Sequence, residues 1–167
     1  AVDNWRRQGA LHLDLPPELL PADYVMMRLA LPEDAEALAA LPDDPREAGD
    51  AWLVDDMGVI TEGTSSNAWI VDQDGVIRTR DTQANILRGI TRAAILKIAG
   101  EQGLKLEERG FSAEDVKSAR EAFYTNASGF ATPVVGIDGV EIGDGRPGPV
   151  ALRLRDLYLQ RAEADAV

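Results

Sequence analysis

Thr61-Glu62-Gly63-Thr64-Ser65-Ser66-Asn67, followed downstream by Leu87-Arg88-Gly89-Ile90-Thr91-Arg92, carries the reading of this chain. Glu62 closes a β-rich run through Val59-Ile60, and small hydroxyl residues come directly after it. A carboxylate there can hold a charged partner, while the small residues let a flat ligand approach the backbone. Taken alone, the stretch reads more simply as a strand-end turn with a solvated glutamate. Gly89-Ile90-Thr91 opens a helical pattern, so its unpaired N–H groups and the positive end of the helix dipole face whatever lies in front, as a phosphate requires. By itself it is the plain start that every helix has. A third piece, Thr125-Asn126-Ala127-Ser128-Gly129, is a small, polar run after a strand, where backbone amides can form an anion nest.

The surroundings are regular from Ala51 onward. Trp52-Leu53-Val54 and Val59-Ile60 read as strands around an Asp55-Asp56-Met57-Gly58 turn. Ala68-Trp69-Ile70-Val71 and Val76-Ile77-Arg78-Thr79 flank Asp72-Gln73-Asp74-Gly75, an Asp-Gly hairpin signal. A helix is predicted from Gly89 to Gly103, with Ile90, Ala93, Ala94, Leu96 or Ile95, and Ile98 at helical spacing and Gly103 as its C-terminal cap. Leu104 to Phe111 reads as a strand. Ser112-Ala113-Glu114-Asp115 reads as an N-cap opening a short helix to Arg120. Ala122 to Thr125 and Pro133 to Ile137 are strands, Asp138-Gly139 is a second hairpin turn, and Val150 to Arg161 is a terminal helix. The pattern is a mixed α/β (α+β) domain. Upstream, prolines at 16, 17, 21, 32, 42 and 45 interrupt every long run, and the best element is a short helix over Pro32 to Leu41 with acids in its first turns.

Composition narrows the function classes. With 45% apolar and 28% charged residues the chain is expected to fold, and its length favours one domain. The balance of 17 basic against 29 acidic residues gives a formal charge of −12, which argues against nucleic acid or an anionic membrane as partner. The absence of cysteine removes disulfides and thiolate metal sites, and a single histidine, His12, argues against a zinc site. No apolar run is long enough for a membrane span and no signal-peptide order is visible, so the expected location is cytoplasmic. A start at Ala1 rather than methionine reads as processed, trimmed or cut from something longer.

Taken in order, the three pieces resemble the class IV (fold-type IV) aminotransferases, which depend on pyridoxal 5'-phosphate. The resemblance runs from about Arg46 to Tyr158. It includes Ala51-Trp52-Leu53-Val54-Asp55, Val59-Ile60-Thr61-Glu62-Gly63, Ser65-Ser66-Asn67-Ala68-Trp69-Ile70-Val71 and Ile86-Leu87-Arg88-Gly89-Ile90-Thr91-Arg92. Further pieces are Glu107-Glu108-Arg109, Thr132-Pro133-Val134, Ile137-Asp138-Gly139 and Ile142-Gly143-Asp144-Gly145-Arg146-Pro147-Gly148-Pro149-Val150. It implies that residues 46–167 form the C-terminal cofactor-binding domain of the D-amino-acid aminotransferase-like fold, an open pseudo-barrel of strands with flanking helices. Residues 1–45 do not match.

The resemblance also implies roles. Glu62 pairs with the protonated pyridine nitrogen, which makes the ring a better electron sink. The amides of Ile90 and Thr91 hold the phosphate, with Ser65, Ser66, Asn67, Leu87 and Gly89 completing the cradle. A further contact comes from Asn126, Ala127 and Ser128, where Ala127 stands in place of a phosphate-binding threonine of some members. Ser65-Ser66-Asn67 tilts the reading towards the D-amino-acid branch, with branched-chain aminotransferase and aminodeoxychorismate lyase as alternatives within the fold. The implied chemistry moves an amino group between a D-amino acid and a 2-oxo acid, in a homodimer.

One residue is missing from that pattern. The family's cofactor-bearing lysine, which also moves the substrate proton, aligns between Ala22 and Leu38, and that stretch contains no lysine. The chain's lysines are Lys97, Lys105 and Lys117, and Arg28 cannot substitute because a guanidinium stays protonated. The family's N-terminal domain, which gives an arginine to the phosphate, is faintly echoed by Asp3-Asn4-Trp5-Arg6-Arg7 alone. Residues 8–45 thus read as replaced or scrambled, by frameshift or design, and a truncated or degenerate non-catalytic relative is the rival to an active enzyme.

Overall fold

The computed structural model describes residues 25–30, 50–84 and 86–165. Its sheet is built outward from two strands whose side chains alternate between two apolar clusters. In β4 (Asn67–Val71), Ala68 and Ile70 enter one cluster while Trp69 and Val71 enter the other. In β7 (Glu121–Asn126), Ala122 and Phe123 divide the same way. Strand periodicity of two explains the division, and burial of both faces explains why β4 reads as an unbroken apolar run. The two strands pair antiparallel from Asn67 opposite Thr125 to Val71 opposite Glu121. Trp69 stacks on Phe123 across them at 5.4 Å, a pair contributing about 0.5–1.5 kcal/mol beyond its burial.

From β4 the sheet continues through β5 (Ile77–Thr79), antiparallel to it, and β6 (Leu106–Glu108), parallel to β5. From β7 it continues through the antiparallel β8 (Phe130–Ile137), which also carries the short β9 (Val140–Glu141). Beyond β8 come β1 (Val25–Ala30) and β2 (Asp50–Val54), both parallel, and then β3 (Ile60–Gly63), antiparallel to β2. β3 and β6 stand at opposite ends of this order. Yet the Ile60 N–H donates to the Phe111 carbonyl at 2.9 Å and Val59 bridges to Ser112. The sheet therefore curls until the chain after β6 meets β3, giving the expected open pseudo-barrel.

Helices cover the outer cluster: α1 (Ile90–Glu101) supplies Ile95, Ile98 and Ala99, and α3 (Pro149–Asp165) supplies Ala151 and Leu154. The short α2 (Ala113–Lys117) places Val116 in the inner cluster with Trp52, Ile60 and Phe111. Its start is the expected capping box, with Ser112 and Asp115 each accepting the other's backbone N–H. At the end of α1, Gly103 takes φ 66°, and the N–H groups of Gly103 and Leu104 bond the carbonyls of Gly100 and Ala99, a Schellman closure. Asp138 and Gly139, at φ 48° and 77°, form the tight turn between β8 and β9.

Several elements depart from expectation. β1 is a strand that the proline-rich N-terminal reading does not find, and it lies in the stretch where the resemblance places the missing lysine. The helix expected over 32–41 lies outside the described residues. α1 is shorter than its pattern, β6 keeps only the middle of 104–111, and α2 ends at Lys117 rather than Arg120. The face of α1 is also rotated: Ile90 is 87% exposed, and Thr91, Arg92, Ile95, Ile98 and Ala99 turn inward. That face carries Ile95, Ile98 and Ala99 into the outer cluster, with Arg92 beneath the first turn bonded to Glu108 and the Arg80 carbonyl.

Candidate functional site

The sheet's register brings the three sequence pieces to one end of the molecule. Glu62 stands near the end of β3, and the turn to β4 is closed by a Gly63 N–H to Ser66 carbonyl bond of 2.7 Å. Ser66 and Asn67 are buried, whereas Thr64 and Ser65 are exposed on the turn. Asn67 lies opposite Thr125, so the loop holding Asn126, Ala127 and Ser128 is beside the start of β4. Thr125 accepts the Trp69 indole N–H at 2.9 Å, which locks the base of that loop.

Leu87 joins Glu62 to the helix start. Its N–H donates to Glu62 Oε2 at 2.8 Å, and its carbonyl accepts Asn67 Nδ2 at 2.9 Å. Both polar groups of one loop residue are thus held by the β3–β4 turn. Two residues later, Gly89 is the N-cap of α1 in extended conformation, and no side chain caps the helix. A Cβ at Gly89 would stand 2.5 Å from Asn67 Oδ1, so glycine is what lets the helix end approach the turn. Leu87 and Ile90 are 66% and 87% exposed, leaving apolar surface beside a half-buried carboxylate and an uncapped helix end.

Below that end, Arg92 is 4% exposed and lies 5.9 Å over the Trp69 ring. Its Nη2 donates to Glu108 Oε2 at 2.7 Å and to the Arg80 carbonyl at 2.8 Å. Burial of a guanidinium needs such partners, and this one fixes the first turn of α1 against β5 and β6. Sequence reasoning misses Arg92 and Arg80 as parts of the site. The available signal is basic residues on a β-rich run and on a helix face of an otherwise acidic chain.

The third piece behaves differently from a free nest. Asn126 Oδ1 accepts the N–H groups of Ser128 and Gly129, at 3.2 and 2.6 Å, so these amides are already engaged by the loop's own side chain. Phe130, just after it, holds φ 58° while stacked on Tyr158 at 4.8 Å, an unusual conformation for a bulky residue. None of the lysines joins the cradle through a hydrogen bond or ion pair among the described residues. Lys97 and Lys105 are exposed, and Lys117 pairs with Glu114 at 3.5 Å on α2. Lys97 is about 10 Å along α1 from Ile90 at 1.5 Å per residue. No metal-binding cluster occurs among the described residues, and no described helix is long and apolar enough to cross a membrane.

The non-covalent parts of this geometry suit a pyridoxal phosphate: a half-buried carboxylate for the ring nitrogen, an uncapped helix start for the phosphate and a glycine that lets the helix end come close to the turn. The chain's own lysines do not supply a covalent attachment point there.

Comparison with known proteins agrees with the motifs. The family model described as amino-transferase class IV matches residues 35–137. The chain is 41% identical over 111 residues to a branched-chain-amino-acid aminotransferase of Pseudomonas aeruginosa, covering 66% of this chain and 36% of that protein. It is 42% identical over 103 residues to a D-alanine aminotransferase of Bacillus licheniformis, covering 62% and 36%. Among solved structures, the T.th. branched-chain amino acid aminotransferase with pyridoxamine 5'-phosphate superimposes with a TM-score of 0.72 at 29% identity. That superposition covers 86% of this chain and 53% of the other. The chain thus spans about a third of the length of the two sequence relatives and about half of the solved chain. The chain belongs to the class IV aminotransferases, a pyridoxal-phosphate-dependent family.

Proposed function

We propose that residues 46–167 are the cofactor-binding domain of a cytoplasmic, homodimeric aminotransferase of the D-amino-acid branch, exchanging an amino group between a D-amino acid and a 2-oxo acid. The observation that carries the reading is the Leu87 bridge, which holds Glu62 and the start of α1 as two ends of one cradle. In this reading Glu62 keeps a proton on the ring nitrogen, and the Ile90 and Thr91 amides receive the phosphate. Ser65, Ser66, Asn67, Leu87 and Gly89 shape the space between, and the Asn126-Ala127-Ser128 loop approaches the phosphate from β7. When bound, pyridoxal phosphate supplies an electron sink for the pair left on the substrate carbon after proton removal. Ser65-Ser66-Asn67 favours the D-amino-acid branch over the branched-chain one.

A second reading concerns this chain acting by itself. Lys97, Lys105 and Lys117 lie on other surfaces, so the chain by itself holds the cofactor without a covalent bond and does not turn over. One experiment separates the readings. Titration with pyridoxal 5'-phosphate is expected to show saturable binding, weakened by Glu62→Ala. Borohydride reduction is expected to leave no lysine in the cradle modified, and a mixture of D-alanine with 2-oxoglutarate is expected to stay unreacted. Exchange of D-alanine by the pure chain would reject the non-catalytic reading, exchange of L-leucine instead would reject the D-amino-acid assignment, and absence of saturable binding would reject the cradle.

A further inference from the structure

Two links join β3 to the start of α1. The first is the Leu87 bridge. The second runs underneath it through two arginines. Arg92, in the first turn of α1, donates to the Arg80 carbonyl at 2.8 Å and to Glu108 at 2.7 Å. The Arg80 side chain turns the other way. Its Nη2 meets Asp55 Oδ2 at 3.0 Å, and its Nη1 approaches the Ile60 carbonyl at 3.5 Å. Asp55 Oδ1 also accepts the N–H groups of Met57 and Val59, at 3.0 and 2.9 Å, so the arginine grips the turn from which β3 emerges. Glu62 follows Ile60 by two residues and leaves the strand on the same face.

The passage for Arg80 is built into the backbone. A Cβ at Gly110 would lie 3.0 Å from Val59 and 3.4 Å from Arg80 Cδ, and the Gly110 carbonyl is held by Arg78 Nη2 at 2.7 Å. Gly110 thus leaves room for the stem at the seam where β3 meets the chain after β6. A guanidinium suits this place because its planar fork can serve a carboxylate and a carbonyl together, which an ammonium on a flexible stem does less well.

We propose that Arg80 is a positioning residue: it ties the base of β3, through Asp55 and Ile60, to the first turn of α1, through Arg92, and so sets the separation between Glu62 and the Ile90–Thr91 amides. The ligand consequence rests on the reading that this cradle takes the nitrogen and phosphate of one cofactor. Two subsites at a fixed separation favour a ligand that spans both far more than either fragment alone, and the advantage falls when the separation is no longer held.

The test uses Arg80→Met and Arg80→Lys in the full chain, with pyridoxine 5'-phosphate, which has no aldehyde and forms no imine, and inorganic phosphate as probes. Both variants are expected to weaken pyridoxine 5'-phosphate by about tenfold and inorganic phosphate by less than about twofold. In the ligand-free protein, exchange of the Leu87 amide hydrogen is expected to quicken by about tenfold, while the Trp69 and Phe123 amides keep their protection. An unchanged Leu87 amide, equal acceleration of all amides, equal losses for both probes, or full rescue by lysine would each overturn the proposal. If the Leu87 amide responds but the unmodified chain binds no pyridoxine 5'-phosphate, the positioning role stands and the cofactor reading of the cradle falls.

Discussion

Replacing Gly89 with alanine tests whether close approach of the α1 start to the β3–β4 turn holds the cradle together. The backbone there has φ −60° and ψ 137°, which alanine adopts without strain, so the effect comes from the new methyl group. That methyl would stand 2.5 Å from Asn67 Oδ1, and relief requires the carboxamide to retreat by about 1 Å to reach ordinary contact. Asn67 is 3% exposed, and its Nδ2 is the donor to the Leu87 carbonyl. Overpacking of this kind costs about 1–3 kcal/mol, and loss of the amide bond about 0.5–1.5 kcal/mol. Reduced freedom of the unfolded chain returns about 0.4–1 kcal/mol, leaving a net loss of about 0.5–4 kcal/mol. Urea unfolding followed by tryptophan fluorescence reads this directly, since Trp52 and Trp69 are fully buried. The decisive comparison is the same substitution in an Asn67→Ser background, where the shorter side chain no longer reaches the methyl. The cost of Gly89→Ala should then fall by at least about 1 kcal/mol, a coupling expected of residues in contact. An equal cost in both backgrounds would refute the steric argument and with it the claim that glycine permits the approach.

Glu108→Ala leaves the buried Arg92 guanidinium with the Arg80 carbonyl and should lower stability by about 1–3 kcal/mol in urea unfolding; a change below about 0.5 kcal/mol would mean that water replaces the carboxylate at its half-exposed end. On the acid side, the amides of Val59 and Ser112 hold the Asp55 and Asp115 carboxyls below their ordinary value of 3.8, and Arg80 and Arg78 add to this. Such groups stabilise fully above 3.8 and lose that contribution as pH falls through their lower folded values, so Asp115→Asn should shrink the acid-side decline of the urea midpoint. Glu121 behaves oppositely, because burial pushes its carboxyl above the ordinary 4.5 despite the Ala151 and Val150 amides and Arg120. Its contribution is greatest below 4.5 and declines as pH rises through the raised value, so Glu121→Gln should flatten that limb, and an unaltered pH profile would reject the assignment. Gly148→Ala drives a methyl into the Glu121 carboxylate that accepts the Val150 and Ala151 N–H groups, and should cost about 1–3 kcal/mol with frayed α3 amides in hydrogen exchange.

The elements legible in the sequence are those whose signal is local. Asp-Gly turns, the Ser112–Asp115 capping box and Gly103 each determine backbone geometry within a few residues, and each appears where its chemistry places it. β1 carries no such marker: it is a short run between proline-rich flanks, stabilised in the sheet by β2 and β8, whose sequences are distant from it. The face of α1 is misread for a related reason. Apolar periodicity nominates Ile90 and Ala93, but the face that packs is Ile95, Ile98 and Ala99 together with Thr91 and Arg92, whose guanidinium finds partners in Glu108 of β6 and the Arg80 carbonyl just after β5.

The same division runs through the site. Glu62 and Gly89 are each ordinary alone, a carboxylate at a strand end and a glycine at a helix start, and they are visible because they occur in order within the motif series that resembles the class IV aminotransferases. What makes them one cradle is not in either motif: it is Leu87, bonded through its N–H to Glu62 and through its carbonyl to Asn67. An apolar side chain gives no sign that its backbone is the bridge. The Asn126 loop shows the converse, since a run that reads as an anion nest has committed two of its amides to its own asparagine. A phosphate drawing on those amides must displace the Asn126 carboxamide, whereas the α1 start offers N–H groups that no side chain caps. On the proposed reading the first hold on an anion belongs to Ile90 and Thr91, and the Ser128 and Gly129 amides can add to it only after the Asn126 carboxamide turns away.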